Sequence, residues 1–335
     1  MKALVCDEPG RLTVVERQRP VRGEGEVLVR IRHVGICGTD FHIFGGKHPF
    51  LEYPRVMGHE LSGTVEDAGD SGLKPGEPVY IVPYLSCGDC AACRKGLTNA
   101  CQNIRVLGVH CDGGMAEMLS VPAQNVVPTG DIPLADAAMI EFLAIGAHGI
   151  RRGQVTDADR VLVTGSGPIG MSAVLFAKAR GAHVTVMDMR EDRLAFARDT
   201  LGADATLLAD ADAEANAARM TGGDGFDVVV DATGAAAPVE RGFGFLAHGA
   251  RYVLLSVVRE NISFSDPEFH KREATLLASR NAQPEDFAEV VRQMQAGRIP
   301  TRALNTHRGA LADAAALIPD WSRPEAGVIK AILDV

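Results

Sequence analysis

The chain has 335 residues, and its 34 Lys and Arg against 43 Asp and Glu give a formal net charge of −9. The length predicts two domains, and the shares of apolar (46%) and charged (23%) residues are typical of a folded globular protein rather than a disordered chain. The acidic balance argues against a nucleic-acid partner. No apolar run approaches the ~18–20 residues of a membrane span, and the N-terminus turns acidic too early for a signal peptide. We therefore expect a cytoplasmic protein without a membrane segment.

The first 150 residues have the pattern of short strands interrupted by glycine and proline. Residues 26–32 alternate like a half-buried strand, and residues 77–83 form a short apolar run bounded by prolines. Many short strands with turn signals predict a barrel-like or sandwich domain.

A different pattern begins near residue 158, where apolar β-branched runs alternate with helical stretches. This alternation predicts an α/β domain with a doubly wound parallel sheet and helices on both faces. The predicted strands are 160–164, 183–188, 226–231 and 250–255. The predicted helices are 171–180, 192–201, an alanine-rich segment at 209–218 and one that begins at Pro284 and ends near Gly297. A last predicted strand, 328–333, could return to the first domain.

A glycine-rich turn joins the first of these strands to the first helix. Its sequence, Gly165-Ser166-Gly167-Pro168-Ile169-Gly170, is followed 18 residues later by Asp188, which closes the next strand. This is the context that the dinucleotide fingerprint requires. In it the first glycine permits the tight turn, the second lets the backbone approach the pyrophosphate, and the third lets the helix pack on the strand. The N-terminus of the helix then faces the phosphates.

Asp188 could accept hydrogen bonds from the ribose hydroxyls and would repel a 2′-phosphate, which favours NAD over NADP. Arg190 and Arg193 lie nearby in the sequence and argue against a strict preference, although Arg193 could instead cover the adenine face. The alternative is a glycine turn beside a strand-end aspartate that binds no ligand.

Four of the seven cysteines, Cys87, Cys90, Cys93 and Cys101, fall within 15 residues. In a reducing compartment such a group indicates a metal site rather than disulfides. Four thiolates close a tetrahedral zinc site and leave no position for a substrate, so we expect a structural zinc. An iron–sulfur cluster is the competing interpretation, but the gap before Cys101 and the absence of a following proline disfavour it.

A second group offers mixed ligands on separate segments. Cys37 and His59 are a thiol and an imidazole, and Glu141 is an acid in an apolar run that needs a partner if it is buried. Catalytic zinc uses about three protein ligands and an open position. Glu60 could exchange with water at the metal, and Asp40 could orient His59 by accepting its other ring N–H. Taken singly, Cys37 and His59 could also be a core cysteine and a loop histidine.

The whole chain resembles the zinc-dependent medium-chain alcohol and polyol dehydrogenases. The resemblance is carried by residues 35–40 (GICGTD), 58–60 (GHE), the four-cysteine loop, 112–114 (DGG), the glycine turn and 231–234 (DATG). It implies a GroES-like β-rich catalytic domain at 1–150, a Rossmann NAD-binding domain at 151–290, and a C-terminal segment at 291–335 that rejoins the catalytic domain.

Within the family, the chain is most similar to bacterial sugar-acid dehydrogenases of the L-galactonate 5-dehydrogenase type, over residues 53–60, 104–110, 264–273 and 279–282. The resemblance implies oxidation of a secondary alcohol of a sugar acid to a ketone, with hydride transfer to NAD and two zinc ions per chain. A homodimer or homotetramer is implied as well. The alternatives are a dehydrogenase of neutral polyols or simple secondary alcohols, like those for sorbitol, xylitol and threonine, and a non-catalytic dinucleotide-binding relative.

The resemblance also implies roles for single residues. Thr39 would be the first proton acceptor and His42 would pass the proton to solvent, while either Glu60 or Glu141 completes the catalytic zinc shell. Phe142 stands where the polyol branch often has proline. Because a sugar acid carries a carboxylate, its pocket should contain a cation. Arg280 is the first candidate and Lys271 and His110 are weaker, since a solvated charged face explains Lys271 better than a substrate contact does. The cofactor candidates are the residues of the glycine turn, Asp188 and Arg193, with Lys330 at the pyrophosphate and Thr233 and Val257 at the nicotinamide.

Overall fold

A computed structural model describes residues 1–48 and 51–335 of the chain. These residues form two compact units, one built from residues 1–141 and 291–335 and the other from residues 142–290. The strands are β1 (Lys2–Glu8), β2 (Arg11–Glu16), β3 (Glu26–Ile36), β4 (Arg55–Val56), β5 (Glu60–Asp67), β6 (Pro78–Ile81), β7 (Tyr84–Leu85), β8 (Arg105–Val106), β9 (Met118–Pro122), β10 (Val126–Pro128), β11 (Arg160–Thr164), β12 (His183–Asp188), β13 (Ala205–Leu208), β14 (Phe226–Asp231), β15 (Leu246–Leu254), β16 (Thr275–Ala278), β17 (Asn305–Ala310) and β18 (Lys330–Asp334). The helices are α1 (Gly38–Phe44), α2 (Leu134–Ala137), α3 (Ile140–Arg152), α4 (Pro168–Ala179), α5 (Glu191–Asp199), α6 (Ala213–Thr221), α7 (Ala236–Gly242), α8 (Asp266–Lys271), α9 (Pro284–Gln295), α10 (Thr301–Leu304) and α11 (Ala314–Trp321).

The first unit is dominated by a mainly antiparallel sheet in the order β10-β6-β5-β3-β18-β17, with β9 also paired to β3. Strand β3 is central because its alternating apolar side chains, such as Val29 and Ile31, are fully buried in the core of this unit. Strand β18, near the C-terminus, pairs antiparallel with β3, so that Ala331 lies opposite Ile36. The closing segment therefore does return to the sheet of the first unit.

This sheet places three chain segments side by side where the strands β5, β3 and β18 begin or end. Glu60 is the first residue of β5 and pairs with Gly35 near the end of β3, while Lys330 is the first residue of β18 on the other side of β3. Cys37 follows β3 directly and begins helix α1. Residues far apart in the sequence thus meet at the ends of three neighbouring strands.

The second unit contains a six-stranded parallel sheet in the order β13-β12-β11-β14-β15-β16. In this doubly wound order the chain reverses direction across the sheet between β11 and β14, which is where such sheets bind ligands at their carboxyl ends. Thr164, the last residue of β11, pairs with Met187 on β12 and Asp231 on β14. The glycine turn therefore lies between Asp188 and the loop that follows Asp231. No helix in the described part of the chain is long and apolar enough to cross a membrane.

Candidate active site

The four clustered cysteines lie together in the first unit, and their sulfur atoms are all within 4.8 Å of one another. The sulfurs of Cys90 and Cys93 are 3.5 Å apart, and those of Cys87 and Cys101 are 3.4 Å apart. These separations are well beyond a disulfide bond of ~2.05 Å. Backbone N–H groups, first that of Cys93, hydrogen bond to the Cys90 thiolate and lower its pKa to about 6. Four sulfurs at this spacing fit a tetrahedral zinc ion.

A second group of three donors lies in the same unit, with Cys37 half-buried and the other two buried. One ligand atom each from Cys37, His59 and Glu60 lies within 4.8 Å of the other two. His59 is 5% exposed and Glu60 is fully buried. The backbone N–H of Cys37 donates to Asp40 Oδ2 at 2.9 Å, which fixes the start of helix α1 and the position of the thiol. The structure therefore brings together a thiol, an imidazole and a carboxylate from two segments.

Two buried polar atoms of this site have no hydrogen-bond partner among the described residues. They are Nδ1 of His59 and Oδ1 of Asp40, so the predicted hydrogen bond between these two side chains is not formed through these atoms. Burial alone would lower the pKa of His59, but the neighbouring Cys37, Asp40 and Glu141 outweigh burial and raise it well above its usual value. A buried imidazole with an unsatisfied nitrogen and anionic neighbours fits a bound metal cation.

Lys330 is the counter-charge of Glu60. Its Nζ lies 2.7 Å from Oε1 and 2.8 Å from Oε2 of Glu60 and donates to the Ile36 carbonyl at 3.1 Å. A Cβ atom on Gly35 would lie 2.1 Å from Glu60 Oε2, so the glycine leaves the space that the carboxylate occupies. The proposed contact of Lys330 with the cofactor pyrophosphate stays a prediction, and the partners that the structure gives this lysine belong to the first unit.

Glu141 is not one of the three grouped donors. It is 6% exposed and lies in the first turn of helix α3, where its carboxylate accepts a hydrogen bond from the hydroxyl of Tyr84. Burial, and then the charge of Glu141, raise the pKa of Tyr84 well above its usual value, so the phenol remains a donor. Sequence reasoning missed Tyr84. Its only signal is a tyrosine three residues before Cys87, next to an apolar run.

The residues predicted to carry the proton are on helix α1. Thr39 Oγ1 lies 3.7 Å from Cys37 Sγ, next to the three grouped donors. His42 is exposed in the last turn of the same helix. This placement agrees with a hydroxyl at the metal and a histidine at the solvent, but the roles themselves stay predictions.

In the second unit the backbone of the glycine turn packs closely against itself on one side and stays open on the other. Gly165 has a φ of +87°, and a Cβ on Gly170 would lie 1.8 Å from the Gly165 carbonyl oxygen. Gly167 begins helix α4 and has open space where its Cβ would be, while Pro168 and Ile169 start the helix. The turn is therefore tight on one side and accessible on the side assigned to the phosphates.

Asp188 is tied to this turn through the backbone. Its carboxylate accepts the N–H of Ser166 at 2.6 Å and the N–H of Arg190 at 2.9 Å. The side chain of Arg190 is paired with Asp192 at 2.6 Å. Arg193 is 9% exposed, and burial lowers the pKa of its guanidinium.

The loop after β14 is held by Asp231, which is almost fully buried and accepts hydrogen bonds from Thr164 Oγ1 at 2.7 Å and from the N–H and hydroxyl of Thr233 at 3.0 Å. These hydrogen bonds fix Thr233 just beyond the carboxyl end of β14. Val257, beyond the end of β15, is 80% exposed. Both positions are compatible with the predicted nicotinamide contacts and leave them to be tested.

The three residues predicted to bind the substrate carboxylate do not all belong to one unit. Arg280 is exposed just after β16 in the second unit. Lys271 is exposed and pairs with Glu268 at 2.7 Å, as expected for a solvated charged face. His110, in the first unit, is half-buried, and its Nδ1 accepts the N–H of Val106 at 3.1 Å.

Comparison with known proteins agrees with these features. The family described as alcohol dehydrogenase GroES-like domain matches residues 23–132, and the family described as zinc-binding dehydrogenase matches residues 168–296. L-galactonate-5-dehydrogenase of Escherichia coli K12 is 42% identical over 92% of this chain and 91% of its own length. D-altritol 5-dehydrogenase of Agrobacterium fabrum is 33% identical over 84% of both chains.

A solved structure extends the likeness to the complete fold. The structure named as a short chain alcohol dehydrogenase from Escherichia coli CFT073, complexed with NADH, has a TM-score of 0.93 and 31% identity over 100% of this chain and 99% of its own. The family matches and the six-stranded parallel sheet confirm the predicted α/β fold of a GroES-like domain and a Rossmann domain. The chain therefore belongs to the zinc-dependent medium-chain alcohol and polyol dehydrogenases.

Proposed function

We propose that this enzyme oxidises a secondary alcohol of a sugar acid to a ketone and transfers the hydride to NAD. The observation that carries the proposal is the group of the half-buried Cys37 with the buried His59 and Glu60, together with the unsatisfied Nδ1 of His59. These residues, with Glu141 as the alternative carboxylate, would hold one zinc ion, and the four-cysteine loop would hold a second. The relative named L-galactonate-5-dehydrogenase supports the substrate class.

The bound metal and the side chains of the protein would have different roles in the reaction. When bound, zinc supplies Lewis acidity at the substrate oxygen, which lowers the pKa of the alcohol. Thr39 accepts the substrate's hydroxyl proton through a hydrogen bond and releases its own hydroxyl proton as the alcohol ionises, so its hydroxyl stays neutral. His42 passes this proton to solvent, and a histidine suits this task because it titrates near neutral pH. NAD, when bound, would supply the hydride acceptor, and the residues of the glycine turn with Asp188 would orient it.

The proposed preference for NAD depends on Asp188. Both of its oxygens accept backbone N–H groups, which fix the carboxylate at the end of β12 and leave lone pairs for the ribose hydroxyls. Because Arg190 is paired with Asp192, it is less available for a 2′-phosphate. Arg193 would cover the adenine. Lys330, Thr233 and Val257 remain the proposed contacts of the pyrophosphate and nicotinamide.

The carboxylate of a sugar acid is assigned to Arg280, whose planar guanidinium can bind it with two hydrogen bonds. His110 and Lys271 are secondary candidates, and the ion pair of Lys271 with Glu268 makes that residue the weaker one. A second candidate function is oxidation of a neutral polyol, which the relative named D-altritol 5-dehydrogenase favours. We also propose a homodimer or homotetramer, as in the family.

The test measures NADH formation on pairs of substrates, each an aldonate with its own alditol, together with zinc content. We expect L-galactonate or a close hexonate to react and its alditol to react poorly. Arg280→Gln should raise KM for the aldonate and leave KM for any alditol unchanged. Arg198→Gln is the matched control, because Arg198 is an exposed arginine of the same unit that pairs with Asp199, and it should change neither. A preference for alditols would instead establish the polyol function.

A further inference from the structure

The hydroxyl of Tyr84 donates a hydrogen bond to the carboxylate of Glu141, and both side chains are buried. We propose that Tyr84 is a positioning residue that holds the Glu141 carboxylate beside the group formed by Cys37, His59 and Glu60. The inference rests on the proposed function, because it assigns Tyr84 to the site that would bind the catalytic zinc.

The backbone of Tyr84 is fixed well enough for this role. Tyr84 begins β7, where it pairs with Val106 on β8, and its carbonyl accepts the side-chain N–H of Asn125 at 3.1 Å. Asn125 also donates to the Val82 carbonyl at 2.8 Å, so one amide holds the chain on both sides of Pro83. A hydroxyl on a backbone held in this way can fix the direction of the carboxylate that it contacts.

The neighbourhood of the pair is the candidate metal site. A Cβ atom on Gly35 would meet both Glu60 Oε2, at 2.1 Å, and the carbonyl oxygen of Ala138, at 3.0 Å, so the chain three residues before Glu141 lies against Glu60. At this distance the charge of Glu141 also acts on His59.

The two buried carboxylates of the site are held differently. Glu60 is neutralised by the charged Lys330 through both of its oxygens, whereas Glu141 is held by a neutral hydroxyl. Tyr84 therefore orients Glu141 through a hydrogen bond and adds no counter-charge, and burial raises the pKa of the Glu141 carboxyl.

Tyr84 also lies where the four-cysteine loop begins. Strands β7 and β8 bracket that loop, since Cys87 follows β7 and Cys101 precedes β8. A purely structural role for Tyr84 would therefore weaken the four-cysteine site, whereas a positioning role would weaken only the site that contains Glu141. The two zinc sites of one chain thus provide an internal comparison.

The experiment uses the full-length zinc-loaded enzyme and its Tyr84→Phe variant. Zinc retained per chain is measured during dialysis against graded EDTA, and the visible absorption of the cobalt-substituted protein reports the coordination of the metal. Tyr252→Phe is the matched control, because Tyr252 is fully buried and donates its hydroxyl to the Val239 carbonyl at 2.9 Å in the other unit. We expect Tyr84→Phe to lose one zinc at about 10–100-fold lower chelator concentration and to change the cobalt spectrum, as removing a group that orients a metal ligand does.

The remaining outcomes distinguish a failure of this inference from a failure of the proposed function. Tyr84→Phe overturns the inference if it retains both zinc ions as the wild type does, or if it loses the four-cysteine zinc as well. A further comparison in the Glu141→Ala background should show no effect of Tyr84→Phe on the zinc that is lost, since the hydroxyl then has no acceptor at this position to orient. A wild-type chain that binds zinc only at the four cysteines would overturn the proposed function itself, which distinguishes the two failures.

Discussion

Lys330 and Glu60 form a salt bridge in the interior of the first unit, with Nζ 2.7 Å from Oε1 and 2.8 Å from Oε2 and both side chains at most 1% exposed. They begin strands β18 and β5, which flank β3 on opposite sides. The C-terminal segment therefore supplies the cation that balances a carboxylate of the candidate metal site.

We expect Lys330→Met to destabilise the metal-free protein by about 3–5 kcal/mol, because it leaves the buried Glu60 carboxylate without a counter-charge. Urea unfolding of the wild type and the variant measures this difference. The double variant Glu60→Gln with Lys330→Met should recover most of the lost free energy, since no buried charge remains. A single variant as stable as the wild type would contradict the stabilising role assigned to the salt bridge between Lys330 and Glu60.

This pair also shows where sequence reasoning stops. The glycine turn and the four-cysteine loop are local, so their residues and spacing identify them. Lys330 and Glu60 are 270 positions apart, and only the register of β18 and β5 on β3 brings them together. The contact of Tyr84 with Glu141 spans 57 positions and was missed for the same reason.

The helices and strands show a similar division. The predicted strands at 160–164, 183–188 and 226–231 coincide with β11, β12 and β14, because buried parallel strands are continuous apolar runs. The alanine-rich segment predicted as a helix at 209–218 is instead helical over Ala213–Thr221. Composition indicates that a helix forms, but Gly222 after it, with a φ of +65°, determines where it ends.

A buried charge network in the second unit gives a pH-dependent prediction. Asp286 is 1% exposed and bonds His148 Nδ1 at 2.8 Å and Arg151 Nε at 2.7 Å. Burial by itself would raise the pKa of Asp286, but the hydrogen bonds from His148 and Arg151 outweigh it and lower the pKa to about 2. The unfolded aspartate titrates near ~3.9. The ionised form therefore stabilises the fold above about pH 4, and this contribution decreases as the pH falls toward 2.

Asp286→Asn should accordingly lower the free energy of unfolding by about 3–5 kcal/mol at neutral pH. The difference from the wild type should be constant above about pH 5 and shrink below about pH 4. Chemical denaturation over a pH series measures it. Asp199→Asn is the control, since Asp199 forms an exposed ion pair with Arg198 and its loss should change nothing measurable. A difference that does not vary with pH would contradict the assigned ionisation of Asp286.

Substitutions at two glycines of the turn test folding and cofactor binding separately. Gly170→Ala should destabilise the protein by about 1–3 kcal/mol, because the new Cβ would meet the backbone oxygen of Gly165 at 1.8 Å. Gly167→Ala should leave the free energy of unfolding unchanged, since among the described residues no heavy atom other than those of Gly167 and its two chain neighbours lies within 4 Å of its Cβ position. It should nevertheless weaken NADH binding, measured by fluorescence titration, if the pyrophosphate occupies that space. Unchanged NADH affinity in Gly167→Ala would place the phosphates elsewhere.

The four-cysteine loop should depend on its metal for stability. Cys101 is 1% exposed and its sulfur lies 3.4 Å from that of Cys87, so Cys101→Ser removes a thiolate from the centre of the group. We expect zinc content to fall by one ion per chain and the thermal unfolding temperature to fall with it, because binding to a structural site contributes directly to folding. Cys111→Ser is the control, since Cys111 is partly buried outside both donor groups. Equal zinc content in the two variants would show that the four sulfurs do not share one ion. If Cys101→Ser lost bound iron rather than zinc, the four cysteines would still form a metal site, but its metal would be iron.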